Sequence, residues 1–392
     1  VKALGWDYID VILFTGDAFI DHPSFGTAVI ARWLQKHGYR VAVVPQPNWR
    51  DDLRDFRKLG APRLYFGVNS GAMDSMVNHY TAAKRLRSDD AYTPEGKAGQ
   101  RPDYAVTVYT KILKEIYPDI PVIIGGIESS LRRVTHYDYW QDALKPSVLV
   151  DSGADWLCYG MGERTMIEFT RAIESGRNLA DIRKIPQLAF YMDGRSKLKD
   201  AVILNSYERC CKDKMAFAEN FHVIETYANM MTPPVLIEPV GNGYVQINPT
   251  WPPATQEEMD SFWDLPFTKQ PHPRYKGKHI PAFEMIKFSI NIHRGCFGGC
   301  NFCALAFHQG RSVRSRSIES VVKEAKLLTE MKGFKGYIND VGGPTANFRK
   351  TSCEKQLKSG LCKGKKNYDK REASAQRDAK REIDRTLKER NH

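Results

Sequence analysis

Three cysteines stand close together late in the chain, at the spacing C-x3-C-x2-C within the stretch RGCFGGCNFC. They are Cys296, Cys300 and Cys303. A structural zinc site takes four protein ligands, and His293 or His308 could supply the fourth. An iron–sulfur cubane held by three thiolates leaves one iron open to a substrate or cofactor. Gly298 and Gly299 let one short loop wrap a bulky cluster, so the spacing favours the cluster over zinc.

Polar residues elsewhere in the chain are the other candidates for chemistry. Arg132 and Arg133 could bind an anionic substrate, or could be solvated at the start of a helix. Glu128 and Glu163 could be ligands, or could complement the dipole at a helix N-terminus. The cysteines that we interpret as plain thiols are Cys158, Cys210 and Cys211.

Composition and charge set the class of protein that must position these residues. The chain has 392 residues, of which 42% are hydrophobic and 27% charged, as is ordinary for a soluble protein of two or three domains. It contains no run of about 18 apolar residues that could span a membrane. Its first residues lack the apolar stretch of a signal peptide. We therefore expect a cytoplasmic protein whose eight cysteines serve metal or redox chemistry rather than disulfides.

Short apolar runs alternate with helix-like stretches over residues 1–230, which predicts an α/β domain with a parallel, Rossmann-like sheet. The runs that predict strands are residues 9–14, 41–44, 64–67, 121–126 and 156–159. Apolar residues at helical spacing predict a helix over residues 26–37. Ligands bind at the carboxyl ends of such strands. We therefore expect Gly16, Gly126 and Gly162 near one edge of the sheet.

Two further segments follow the N-terminal domain. Residues 231–281 hold ten of the chain's 21 prolines, which predicts an extended connector rather than a helix or a central strand. Beyond it, residues 285–292 predict a strand, residues 317–331 an amphipathic helix, and residues 336–340 a second strand. A glycine turn at Gly342 and Gly343 follows. Strand, cysteine loop, helix and strand together make one βαβ unit.

The cysteine spacing, with the aromatic Phe302 just before the last cysteine, resembles the signature of the radical S-adenosylmethionine superfamily. The resemblance implies that the three cysteines hold a [4Fe–4S] cluster, whose fourth iron binds S-adenosylmethionine. It implies that an electron from the cluster cleaves the sulfonium and yields a 5′-deoxyadenosyl radical. Phe302 would lie near the adenine, and Gly342 and Gly343 would lie near the methionine amino group. An electron donor such as flavodoxin or ferredoxin is implied as a partner.

Four longer segments narrow the resemblance to YgiQ-type radical S-adenosylmethionine proteins, over about residues 1–362. They are TGDAFIDHPSFG at 15–26, IIGGIESSLRRVTHYDYW at 123–140, DSGADWLCYGMGE at 151–163 and NDVGGPTANF at 339–348. The substrate of that family is not established, so the resemblance implies the chemistry without naming the reaction.

The N-terminal domain also resembles the cobalamin-binding domains that precede many radical S-adenosylmethionine barrels. Coordination of cobalamin by histidine usually goes with D-x-H-x-x-G, whereas residues 21–26 here read DHPSFG. We therefore expect no bound cobalamin, and we interpret the domain as shaping the substrate pocket.

The radical S-adenosylmethionine core commonly has six βα units, whereas residues 282–362 provide two strands. We therefore expect an incomplete radical domain with little or no radical activity of its own. Cys353 and Cys362 have no partner cysteines for a second metal site. Residues 363–392 carry eleven Lys or Arg against six Asp or Glu and resemble the C-terminal tail of the SsrA-binding protein. The alternatives to an active radical enzyme are an inert truncated or chimeric fragment, or an RNA- or ribosome-contacting protein.

Overall fold

The computed structural model describes residues 4–343, apart from residues 197, 229, 299 and 301. The predictions for residues 344–392, including Cys353, Cys362 and the basic tail, lie outside the described residues. Within the described part, no helix is both long enough and apolar enough to cross a membrane.

The described chain alternates strands and helices, numbered here in chain order. The strands are β1 (Val11–Thr15), β2 (Val41–Pro45), β3 (Tyr65–Asn69), β4 (Val122–Ile124), β5 (His136–Asp138), β6 (Ala143–Lys145), β7 (Trp156–Cys158), β8 (Leu188–Asp193), β9 (Val202–Ile203), β10 (Leu236–Val240), β11 (Gly243–Ile247), β12 (Ser289–Asn291), β13 (His293–Arg294), β14 (Arg314–Ser315) and β15 (Asp340–Gly342). The helices are α1 (Gly26–Lys36), α2 (Arg54–Arg57), α3 (Ser75–His79), α4 (Ala105–Ile116), α5 (Gly126–Leu131), α6 (Val148–Ser152), α7 (Glu163–Glu174), α8 (Leu179–Ile182), α9 (Tyr207–Lys212), α10 (Lys214–Ala228), α11 (Gln256–Trp263), α12 (Pro281–Ile286), α13 (Leu305–Gln309) and α14 (Ile318–Glu330).

One nine-stranded sheet forms the centre of the N-terminal region, in the order β2-β1-β3-β4-β7-β8-β11-β10-β9. The first five strands in this order are parallel, which confirms the predicted α/β class and the five predicted strands. From β8 to β10 the strands pair antiparallel, and this half of the sheet was not predicted. The predicted helix over residues 26–37 is confirmed as α1.

The interpretation of residues 231–281 as a connector is wrong for β10 and β11, which belong to the sheet. All five residues of β11 are buried, and the strand contains no proline. Pro239 lies in β10, but β9 is two residues long and pairs only with Leu236 and Ile237. Pro239 therefore has no strand neighbour on the β9 side, where a missing N–H costs no ladder hydrogen bond.

Apolar side chains cover both faces of the sheet, as a doubly wound fold requires. Successive side chains of β1 point to opposite faces of the sheet. Ile12 and Phe14 belong to one buried cluster, and Val11 and Leu13 belong to another. Helix α4 packs its buried residues into the first cluster. Helices α1 and α7 pack into the second. The helices on both faces leave the carboxyl edge of the parallel strands open for a ligand.

The second predicted unit is present as a short βαβ unit. β12 and β15 pair in parallel, and α14 packs against them through Leu328, which belongs to the same buried cluster as Phe288 and Ile290. The strand predicted over residues 285–292 is shorter, because residues up to 286 form α12. Pro281 occupies the first turn of α12, where its missing N–H is not needed. The strand predicted over residues 336–340 begins only at residue 340, since Gly336 has a φ of +88°.

Arg101 is a fully buried cation near the end of β1. Its guanidinium pairs with the buried carboxylates of Asp17 at 2.7 Å and Asp90 at 2.9 Å. Arg101→Met leaves both carboxylates without their cation, so we expect the free energy of unfolding in urea to fall by about 3–5 kcal/mol. Arg40→Met is the matched control, because its partner Asp7 is 80% exposed, and it should cost far less. Equal losses for the two variants would contradict the role given to Arg101.

Glu238 on β10 gives the fold a pH dependence. It is buried, and its two carboxylate oxygens accept the N–H of Thr135 at 3.0 and 2.8 Å. Burial raises the pKa of Glu238 from its ordinary 4.5 to about 7. A carboxyl group with a raised folded-state pKa contributes stability at low pH that is lost as the pH rises through that pKa. We therefore expect Glu238→Gln to gain stability relative to the wild type between pH 5 and pH 8, by about 2–3 kcal/mol in urea unfolding. A difference that stays constant over this range would contradict the assignment.

Candidate functional site

The cysteine loop is closed at its base by a hairpin. β13 and β14 pair antiparallel on either side of it. The N–H of Cys296 donates to the carbonyl oxygen of Gly310 (3.1 Å), and the N–H of Cys303 donates to that of Cys300 (3.0 Å). Gly295 has a φ of +85°, and a Cβ there would lie 2.2 Å from the carbonyl oxygen of Ser312. The turn that starts the loop therefore requires glycine.

The three thiols differ in exposure. Cys296 is buried, Cys303 is half-buried and Cys300 is exposed. The sulfurs of Cys296 and Cys300 lie 3.2 and 3.9 Å from the point where a Cβ on Gly298 would stand, so they are within about 7 Å of each other. Among the residues that the structure describes, no three Cys, His, Asp or Glu side chains are grouped closely enough to hold a metal ion. The loop thus brings two sulfurs to one place, and the ligand set stays a prediction.

The glycine turn meets the start of the cysteine loop. β15 ends at Gly342, whose carbonyl oxygen accepts the N–H of Ile292 at 2.8 Å. A Cβ on Gly343 would lie 1.8 to 2.4 Å from three atoms of the His293 ring, and His293 is 1% exposed. Phe302, by contrast, is 92% exposed. The predicted roles of Phe302, Gly342 and Gly343 toward S-adenosylmethionine stay predictions.

A cavity of about 410 Å³ lies between the carboxyl edge of the sheet and the base of the cysteine loop. Gly126 and Gly162 line it from the sheet side, while His293 and His308 line it from the other. Gly16 lies directly after the cavity-lining end of β1, and a Cβ on it would lie 2.2 Å from the Ser70 carbonyl oxygen. The prediction that glycines gather at this edge agrees with these positions. We name this space the edge cavity.

Two long-range contacts tie the cysteine loop to the sheet domain. Arg294 forms an ion pair with Glu163, which is buried at the first position of α7. Nδ1 of His308 lies 2.9 Å from Oγ of Ser130, and burial lowers the pKa of His308 to about 4, so the ring is neutral at neutral pH. Glu163 therefore has the helix N-terminal position that one of its two predicted roles gave it, and it also pairs with an arginine, which was not predicted. His308 is engaged by a hydroxyl group.

The contacts of Glu128 and of Arg132 decide between the two roles predicted for each. Glu128 is fully buried, and its carboxylate accepts the N–H groups of Ser75 (2.8 Å) and Val106 (3.1 Å). These groups begin α3 and α4, so the helix N-terminal role of Glu128 is confirmed. Arg132 pairs with Asp74 at 2.8 Å and its side chain is 12% exposed. The alternative of a solvated arginine at a helix start is wrong, because Arg132 follows the end of α5 and is compensated by a buried carboxylate.

The remaining described thiols and His22 have surroundings of their own, and Cys158 lines the edge cavity from the sheet side. Burial raises the pKa of Cys158 to about 12 and that of Cys210 to about 11, so both stay protonated, as expected of plain thiols. Cys211 is exposed. His22 is fully buried, and its Nδ1 accepts the N–H of Ser24 (3.1 Å). His22 does not line the edge cavity. The absence of cobalamin stays a prediction.

Sequence reasoning missed the arginines around the loop. Arg294 and Arg314 are partners in the β13–β14 hairpin, and Arg311 pairs with Glu225. The available signal was the stretch RSVRSR at 311–316, which places three arginines 8 to 13 positions after the last cysteine.

Comparisons with known proteins assign the family. Residues 1–289 match the family model described as Radical SAM N-terminal. A UPF0313 protein of Porphyromonas gingivalis is 55% identical over 353 residues, covering 89% of this chain and 56% of that protein. A UPF0313 protein of Bacteroides thetaiotaomicron is 53% identical over 360 residues, covering 88% and 58%. The chain therefore spans little more than half the length of these relatives. These matches give no support to the resemblance of residues 363–392 to the SsrA-binding protein.

A solved structure is similar at a lower sequence identity. The radical S-adenosylmethionine methyltransferase TsrM from Kitasatospora setae, with cobalamin and a [4Fe-4S] cluster bound, is 20% identical with a TM-score of 0.44. The match covers 82% of this chain and 46% of that one. By the family model that matches residues 1–289, this chain belongs to the radical SAM N-terminal family.

Proposed function

We propose that this chain binds a [4Fe–4S] cluster through Cys296, Cys300 and Cys303 and binds S-adenosylmethionine beside it. We propose generation of a 5′-deoxyadenosyl radical for the whole protein, since the chain spans little more than half the length of its relatives. The observation that carries the proposal is the placement of three thiols on one hairpin-closed loop, next to the glycine turn after β15. Family membership supports the same chemistry. The substrate and the activity of the whole protein remain part of the proposal.

The residues of the loop fit such a cluster. Cys300 is exposed and Cys303 is half-buried, so both thiols are accessible to an incoming cluster, while Cys296 is buried. Arg311 donates a hydrogen bond to the carbonyl oxygen of Gly298 and so holds the loop between its first two cysteines. When bound, the cluster supplies an electron to the sulfonium of S-adenosylmethionine.

The chain itself would position the cofactor and the substrate. Gly343 has no side chain, so the end of β15 approaches the ring of His293 closely. We assign Gly342 and Gly343 to the methionine end of S-adenosylmethionine. The edge cavity adjoins the base of the loop and has the size of a small-molecule site. We assign it as the place where a substrate meets the radical. An electron donor such as flavodoxin or ferredoxin would reach the exposed side of the loop at Cys300.

Equilibrium dialysis with labelled S-adenosylmethionine tests the proposal. The protein is reconstituted anaerobically with iron and sulfide, and bound iron is measured alongside bound ligand. We expect S-adenosylmethionine to bind the iron-loaded wild type and not Cys300→Ser. Equal binding by both proteins would show that the ligand does not depend on the cysteine loop and would contradict the proposal.

A further inference from the structure

A second cavity, of about 210 Å³, lies on the other side of the Arg294–Glu163 ion pair. Its lining includes five arginines, while Glu163 is the one acidic side chain among the described residues that line it. The five are Arg133, Arg164, Arg294, Arg311 and Arg314. The rest of the wall is largely apolar and aromatic, with Tyr227, Trp251 and Phe307 among its residues. We name this space the arginine cavity.

Three of the five arginines are neutralised within the protein. Arg164 pairs with Glu258, Arg294 with Glu163, and Arg311 with Glu225. These pairs hold the wall of the cavity together. They do not neutralise the charges of Arg133 and Arg314.

Arg133 and Arg314 have no carboxylate within ion-pair distance in the part of the chain that the structure describes. Nε of Arg314 is buried without a hydrogen-bond partner among those residues. Arg133 lies over the ring of Tyr159 and donates one hydrogen bond, to the carbonyl oxygen of Ser130. Burial lowers the pKa of both arginines, since no carboxylate offsets the loss of hydration.

Arg133 and Arg314 are half-buried. Partial burial of a guanidinium without an anion costs free energy, and a ligand oxyanion would remove that cost. Guanidinium groups bind carboxylate and phosphate through paired hydrogen bonds. The aromatic wall favours an apolar body attached to the anion. We propose that the arginine cavity binds a small ligand with an oxyanion group, carboxylate or phosphate, on an aromatic or apolar body, with Arg133 and Arg314 at the oxyanion. The inference goes beyond the radical chemistry and does not depend on the cluster.

Isothermal titration calorimetry on the cluster-free 392-residue chain tests this inference. The probes are benzoate and phenyl phosphate, with benzyl alcohol as the neutral probe and inorganic phosphate as the anion without an apolar body. We expect at least one of the two aromatic anions to bind about tenfold or more tightly than benzyl alcohol and than inorganic phosphate. The stronger of the two identifies the oxyanion. Failure of both aromatic anions to bind would overturn the inference, and equal binding of inorganic phosphate would overturn its apolar part.

Variants locate the site. Arg314→Gln and Arg133→Gln should each weaken binding by about tenfold or more. Arg85→Gln is the matched control, because Arg85 is exposed and its side chain makes no hydrogen bond or ion pair among the described residues, yet the variant loses the same charge. Arg314→Lys keeps the charge and loses the paired geometry, so it remains informative if Arg314→Gln does not fold. Circular dichroism establishes folding, and binding that is unchanged in the folded Arg133 and Arg314 variants would overturn the assignment.

Discussion

Cys296→Ser, Cys300→Ser and Cys303→Ser should each abolish the broad visible absorbance that the wild-type protein gains on anaerobic reconstitution with iron and sulfide. Three thiolates are the smallest set that holds a cubane with one open iron, and a serine hydroxyl does not ionise to replace a thiolate. Bound iron should fall with the absorbance. The N-terminal sheet should keep its thermal unfolding midpoint, because the loop lies outside both buried clusters of that sheet.

Controls separate these cysteines from the other five. Cys211→Ser removes an exposed thiol and should retain full absorbance. The double variant Cys353→Ser and Cys362→Ser should also retain it, since the prediction assigns no ligand beyond the loop. Stoichiometric zinc in the wild type, or full absorbance in any of the three loop variants, would contradict the ligand assignment.

Gly343→Ala should weaken the binding of S-adenosylmethionine to the iron-loaded protein by more than about tenfold. The new Cβ would stand 1.8 Å from Cε1 and 2.1 Å from Nε2 of His293, so the turn or the buried ring must move. Such overpacking also costs about 1–3 kcal/mol of folding stability. Equilibrium dialysis measures the first effect and urea unfolding the second.

A second substitution makes the cause specific. Gly343→Ala combined with His293→Ala removes the ring that the new methyl group meets, and should restore part of the lost stability. Gly26→Ala is the control for an added methyl group that meets no other atom, because nothing lies within 4 Å of its added Cβ and its φ is not in the left-handed region. Gly26 lines the edge cavity, so the control is measured without substrate. Binding by Gly343→Ala equal to that of Gly26→Ala would show that the glycine turn does not serve S-adenosylmethionine.

The sequence predicts the parallel half of the sheet well for a local reason. Each of the strands from β1 to β4, and β7, is a short apolar run that ends at a turn residue, and the helices between them show apolar spacing. The antiparallel half has no such signal. Its β10 carries Pro239 in a proline-rich stretch, and only the shortness of β9 makes that residue acceptable in a strand.

In the site, too, the sequence predicts the local features and not the long-range contacts. The spacing of the cysteines identifies the loop, because all three ligand candidates lie within eight positions. The contacts that seat the loop join Arg294 to Glu163 across 131 positions and His308 to Ser130 across 178. No local pattern encodes such pairings, which depend on how the two regions pack. The same holds for the arginine cavity, whose five arginines come from two distant parts of the chain.

Electron paramagnetic resonance of the dithionite-reduced, reconstituted protein, recorded with and without S-adenosylmethionine, tests the central claim most directly. A [4Fe–4S] cluster held by three cysteines would have one iron without a protein ligand, so a cofactor that binds that iron must alter the spectrum. We predict a signal of a reduced [4Fe–4S] cluster that changes when S-adenosylmethionine is added, and no such signal in Cys300→Ser. A cluster signal that S-adenosylmethionine leaves unchanged, or a protein that binds zinc and gives no signal, would contradict the account.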